Sequence, residues 1–193
     1  MPAKPSPPDH RVSRRHLLCS AAAGCAAIGL PRLASAAHTL RPWPAAKPVP
    51  ALDLAGLDGR RWQLAAAAGQ VVVLNFWATW CEPCRTEMPS LQAMAARRQR
   101  DGVVVVAVNY REAADVIRRF LEHVPFDVPI LLDSSGDATT VWTPRVFPST
   151  VLIGRDGVPM HTVLGELDWQ GDEARALLEP MVAVPRRRTR TVA

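Results

Sequence analysis

Two cysteines separated by two residues, Cys81 and Cys84, are the side chains in this sequence most suited to chemistry. Thiolates act as nucleophiles, redox couples and metal ligands, and a two-residue gap lets one thiol close onto the other. A disulfide across so short a loop removes little unfolded-chain entropy, so a structural staple explains the pair poorly. Structural zinc would need further ligands, and no cysteine follows position 84. The spacing points to reversible dithiol–disulfide exchange.

The flanking residues say what must position the pair. The run from Val71 to Trp77 is apolar and rich in valine, too short for a membrane span and without helical spacing, which is the pattern of a strand buried on both faces. Pro83 then opens a helix in which Cys84, Met88, Leu91 and Ala95 recur every three or four residues and form one apolar stripe. Cys81 thus falls at a helix N-terminus, where unpaired N–H groups and the positive end of the macrodipole favour its thiolate at neutral pH.

The segment from Asn75 through Phe76, Trp77, Ala78, Thr79, Trp80, Cys81, Glu82, Pro83 and Cys84, followed by Glu87-Met88-Pro89, resembles the active-site region of the membrane-facing thioredoxin-like reductases of the TlpA and ResA type. The resemblance continues through Val106-Ala107-Val108-Asn109 with Glu112 and through Phe147-Pro148-Ser149-Thr150. It implies a thioredoxin-like α/β fold: a central mixed sheet with helices on both faces, preceded by an N-terminal hairpin. It also implies that Cys81 and Cys84 form the redox-active disulfide and that a cis bond precedes Pro148 beside them, leaving backbone groups free to hold an extended substrate. Ordinary thioredoxin carries an aspartate where Asn75 stands, and an asparagine cannot be a base. Glu112, matching the family's acidic residue after the second core strand, is therefore expected to exchange the proton of Cys84. Trp80, Phe147 and Pro148 are expected to form the docking surface, with Glu82 and Pro83 tuning the thiol.

The remaining periodicities fit that architecture. Leu52, Leu54, the turn Asp58-Gly59, Trp62 and Leu64 alternate as a hairpin. Val103 to Val108 is a second doubly buried strand, which completes a βαβ unit with parallel strands. Glu112 to His123 reads as a helix, Ile130 to Leu132 as a strand and Ser134 to Val141 as a helix. Thr150 to Ile153 and Val158 to Leu164, joined by Asp156-Gly157, form a further hairpin, and Glu173 to Val182 a closing helix. Trp77 is expected in the core and Trp80 partly exposed. His123 and His161 are isolated from each other and from carboxylates, so capping or surface roles are expected of them, and no metal site.

Residues 1–36 read as an export signal: paired arginines at Arg14 and Arg15, an apolar stretch from Leu17 to Leu30, and Ala34-Ser35-Ala36 as a cleavage site. A lipid-attached form beginning at Cys25 is the alternative. Cleavage removes Cys19 and Cys25 and leaves one redox pair, as expected of a worker in the oxidising periplasm. Residues 37–50, with Pro42, Pro44, Pro48 and Pro50, read as a stiff linker, residues 51–183 as the thioredoxin-like domain, and residues 184–193 as a basic disordered tail. The formal charge of +5 lies in the ends: residues 37–185 hold 14 basic against 17 acidic side chains, which speaks against nucleic acid as a partner. The tail arginines would favour an anionic membrane surface by on the order of 1 kcal/mol each.

The family resemblance implies reduction of protein disulfides, those of apocytochrome c or of copper-site proteins, with electrons from a membrane thiol transporter. The protein is expected to act as a monomer without a cofactor. Two other readings remain open: an oxidase that introduces disulfides, and a metallochaperone that holds copper or zinc between the two thiolates. Glu82 favours the reductase, because a carboxylate beside Cys81 opposes its thiolate and makes the disulfide harder to reduce.

Overall fold

The computed structural model describes residues 38–185. The export signal and the arginines of the tail, Arg186 to Arg188 and Arg190, lie outside the described residues. A six-stranded sheet forms the centre, in the order β1 (His38–Pro42), β8 (Pro159–Gly165), β7 (Ser149–Ile153), β4 (Val71–Trp77), β5 (Val103–Tyr110), β6 (Ile130–Asp133). Strands β4, β5 and β6 run parallel, while β7 is antiparallel to β4, β8 to β7 and β1 to β8. The hairpin of β2 (Asp53–Ala55) and β3 (Arg61–Gln63) forms a separate two-stranded sheet.

All seven residues of β4 are buried, as its largely apolar run predicts, with Asn75 the one polar member. Their alternation feeds two cores. Val71, Val73 and Trp77 pack with α1 (Glu82–Arg98), α2 (Ala114–Leu121) and α4 (Asp172–Ala183) through Met88, Leu91, Ile117, Leu178 and Met181. Val72, Leu74 and Phe76 face the other side, against Leu52, Leu131 and Trp142 of α3 (Asp137–Trp142). Each large aliphatic side chain so buried contributes about 1.5–3 kcal/mol. Parallel β4 and β5 need the long α1 crossover, and that crossover delivers the cysteine pair to the C-terminal end of β4. Among the described residues no helix is long and apolar enough to cross a membrane.

One expectation fails. Residues 37–50, whose prolines predict a linker, contain β1, whose residues from His38 to Pro42 pair with those from Gly165 to His161. Four of its five residues are exposed, so it carries no alternation to read, and an edge strand tolerates a terminal proline because one side needs no partner. Trp43, just after it, packs on Trp142 with ring centroids 5.6 Å apart. The second helix also starts later than its periodicity suggests, leaving Glu112 in the loop before α2. Trp77 is buried, and His123 is exposed with Nδ1 at 3.1 Å from the carbonyl of Arg119.

Candidate active site

Strand β4 ends at Trp77 and the chain turns through Ala78, Thr79 and Trp80 into α1, with the N–H of Cys81 donating to the carbonyl of Ala78. Cys81 is the N-cap of α1, Glu82 its first residue and Pro83 its second, where the missing N–H costs nothing. The two cysteines are joined, with Cα atoms 5.3 Å apart. The backbone N–H of Cys84 donates to Cys81 Sγ at 3.3 Å. That donor and the helix dipole both stabilise negative charge on the Cys81 sulfur once the bond is reduced. Cys81 is 5% and Cys84 1% exposed, with exposed Glu82 and Pro83 between them.

The peptide bond between Phe147 and Pro148 is cis. Ser149 pairs with Phe76, so Pro148 lies one register step beyond, level with the end of β4 that leads to Cys81. The Phe147 ring meets Trp80 edge-on at 5.8 Å and Tyr110 at 5.1 Å. Trp80 is 63% exposed, and Val146 is exposed beside Phe147. Together they form an apolar face next to the sulfurs.

Two carboxylates serve this region. Glu112 accepts from the Thr79 N–H at 2.7 Å, from the Thr79 hydroxyl, and from Asn109 Nδ2 at 2.8 Å, so it clamps the loop two residues before Cys81. Glu87 lies three residues after Cys84, one turn along the same buried face of α1. Its Oε1 accepts from Asn75 Nδ2 at 2.7 Å, and its Oε2 accepts from the Leu167 N–H at 3.2 Å and Trp169 Nε1 at 3.3 Å. Burial raises its pKa from the ordinary 4.5 to about 7 and outweighs these three donors, which pull the other way; the charge of Glu166 adds to the rise. Glu82 is exposed and joined to Arg85 at 3.0 Å.

Glu87 belongs to the run Glu87-Met88-Pro89, and its spacing from the cysteines alone assigns it no role. Two signals point to it. Position 87 interrupts the apolar helix face one turn beyond Cys84, and Asn75 places a polar side chain in a strand buried on both faces, where it requires a partner. Tyr110 and Thr79 are the other contributors that patterning does not single out.

Comparison with known proteins agrees with this geometry. Residues 45–160 match the AhpC/TSA family. The thiol-disulfide oxidoreductase ResA of Halalkalibacterium halodurans is 32% identical over 129 residues, covering 66% of this chain and 73% of that protein. A protein of Chlorobium tepidum named as a thiol:disulfide interchange protein DsbE superposes with a TM-score of 0.65 at 28% identity, over 69% of this chain and 94% of its own. A secreted thiol-disulfide isomerase of Corynebacterium glutamicum shares the fold with a TM-score of 0.64 at 24% identity, over 74% and 91% of the two chains. The chain belongs to the AhpC/TSA family and, within its thioredoxin-like members, is a thiol-disulfide oxidoreductase of the ResA/DsbE type.

Proposed function

We propose that this protein is a reductase of protein disulfides outside the cytoplasmic membrane, acting on apocytochrome c or copper-site proteins and recharged by a membrane thiol transporter. The observation that carries the chemistry is the Cys81 sulfur at the cap of α1, accepting the Cys84 N–H. In the reduced protein the Cys81 thiolate attacks one sulfur of a substrate disulfide, and the other leaves as a thiolate that takes up a proton. A mixed disulfide joins Cys81 to the substrate. Cys84 then loses its proton and attacks Cys81 Sγ, forming the bond seen here and releasing the second substrate thiol. Two electrons pass from the cysteine pair to the substrate, so an external dithiol must restore the pair.

Glu87 is the group to which we assign the Cys84 proton. It is buried one turn from Cys84 and titrates near 7, where a general base and acid works in both directions. The sequence points to Glu112 for that role, but Glu112 is only half-buried and its bonds hold Thr79, so we assign it to positioning the loop. Trp80, Phe147 and the backbone around Pro148 receive the substrate segment, and Pro83 holds the first turn of α1.

The reducing direction rests on Glu82, at the first position of α1 and exposed beside Cys81. The leader sequence and the fold shared with a secreted isomerase support the location. Equilibration with glutathione buffers tests the direction: a potential near the thioredoxin value of about −270 mV is expected, and one near the oxidase value of about −120 mV overturns the reductase assignment.

A further inference from the structure

We propose that the apolar face beside the cysteines selects substrate segments carrying an acidic side chain next to the disulfide cysteine, and that Arg111 and Arg145 read that charge. The proposal rests on the reductase reading and specifies its substrate. Among the described residues, the only non-glycine residues with positive φ are these two arginines, each at 59°. Such a backbone is disfavoured for a β-carbon and persists where surrounding structure enforces it, commonly at sites that bind. Both border the same face. Arg111 follows Tyr110 and places its guanidinium 5.8 Å from that ring, which in turn meets Phe147. Arg145 precedes Phe147 by two residues.

Each is anchored by its neighbours and exposed to solvent. The Arg111 N–H donates to the Asp133 carbonyl at 3.0 Å, and its stem crosses Gly136 so closely that a β-carbon there would lie 2.9 Å from Cδ. Arg145 donates from Nε and Nη2 to Thr140 Oγ1 at 3.1 and 2.8 Å. Both are exposed, and among the described residues neither has a carboxylate partner. Glu82 is joined to Arg85, and neither Glu112, held by Thr79 and Asn109, nor Asp133, held by Gly136, Ala138 and Thr139, forms an ion pair with either arginine. The face therefore presents Trp80, Val146 and Phe147 to an apolar side chain and, among the described residues, two guanidinium groups outside any ion pair to a carboxylate. Guanidinium suits that task through its bidentate geometry.

Disulfide-linked fluorescent peptides of one apolar sequence, with Glu, Gln or Lys beside the cysteine, test this against the reduced full chain. The Glu peptide should be reduced about fivefold faster in kcat/KM than the Gln peptide and the Lys peptide slower, with the spread shrinking as salt rises. Arg111→Gln with Arg145→Gln should level the three rates, and Arg111→Glu with Arg145→Glu should invert their order, which a merely damaged protein cannot do. Equal rates for the three peptides with wild type, or an order unchanged in both double variants, would overturn the inference while leaving the reductase reading standing. Equal peptide rates together with arginine-dependent binding to phosphatidylglycerol vesicles would reassign the arginines to a membrane surface. Failure of wild type to reduce any of the peptides would bring down both readings.

Discussion

Glu87 and Glu112 each accept three hydrogen bonds, and each lies within a few residues of the cysteine loop in space or sequence, yet they are built for different tasks. Glu112 is half-buried and its donors belong to Thr79 and Asn109, so its carboxylate fixes a loop. Glu87 is 3% exposed, and its donors come from β4 and the segment between β8 and α4. Three donors would ordinarily hold a carboxylate low. Here loss of water outweighs them, and the group titrates at about 7. Hydrogen-bond count alone does not distinguish a clamp from a proton carrier; burial does.

The largest effect should come from removing the thiol whose proton Glu87 is assigned. Cys84→Ser keeps the attacking sulfur and deletes its resolver, so turnover should vanish and substrate should accumulate on Cys81 as mixed disulfides on non-reducing gels. Adducts forming instead on Cys84 in the Cys81→Ser variant would reverse the assignment of the two thiols.

Glu87→Gln should slow exchange about tenfold to hundredfold and erase the break near pH 7 from the rate profile. The amide meets three donors, but a flip of the Asn75 amide lets it accept from the new NH2, with the Thr150 hydroxyl donating to the flipped oxygen. The same substitution should report on stability in the oxidised protein. Folding holds a carboxyl protonated up to about 7 that ionises near 4.5 in the unfolded chain, so the folded state binds more protons between those values. The Glu87 contribution to stability is then fully present below pH 4.5 and is lost as pH rises through 7, by on the order of 3 kcal/mol. Glu87→Gln should flatten that decline in denaturant titrations at pH 4.5 and 8.5. A decline of full size in the variant would place the titrating group elsewhere.

Glu112→Gln should act more weakly. It removes charge from the bonds to Thr79 and Asn109, worth about 1–2 kcal/mol, and should slow exchange severalfold while the break near pH 7 stays. If the break followed Glu112 and ignored Glu87, the two roles would be exchanged.

Much of this arrangement is legible in the sequence because the signals are local. The valine runs of β4 and β5, the turn pairs Asp58-Gly59 and Asp156-Gly157, and Pro83 at the start of α1 each specify their own element. Strand β1 is not legible, since its pairing with β8 depends on residues more than a hundred positions away and its exposed face gives no alternation. The site divides in the same manner. The cysteines and their helix cap follow from spacing, whereas the Glu87 cluster is assembled from Asn75, Leu167 and Trp169, brought together only by tertiary packing. Arg111 and Arg145 look like ordinary surface charges in sequence; their backbone conformation marks them.

The smallest effect should come from the exposed carboxylate that tunes the thiol from outside. Glu82 opens α1 and partly cancels the dipole that favours the Cys81 thiolate, but its ion pair with Arg85 offsets this, and both partners are largely in water. A more comfortable thiolate stabilises the reduced form and raises the potential, so Glu82→His should move the couple upward by about 20 mV. Arg85→Gln should move it the opposite way, because it frees the Glu82 charge and removes a cation one turn from the sulfur. Equilibration of both variants with glutathione at low and high salt measures the pair, and the shifts should shrink together as salt rises. A couple unmoved by either substitution would leave the helix N-terminus and the Cys84 N–H as the groups that set the thiolate of Cys81.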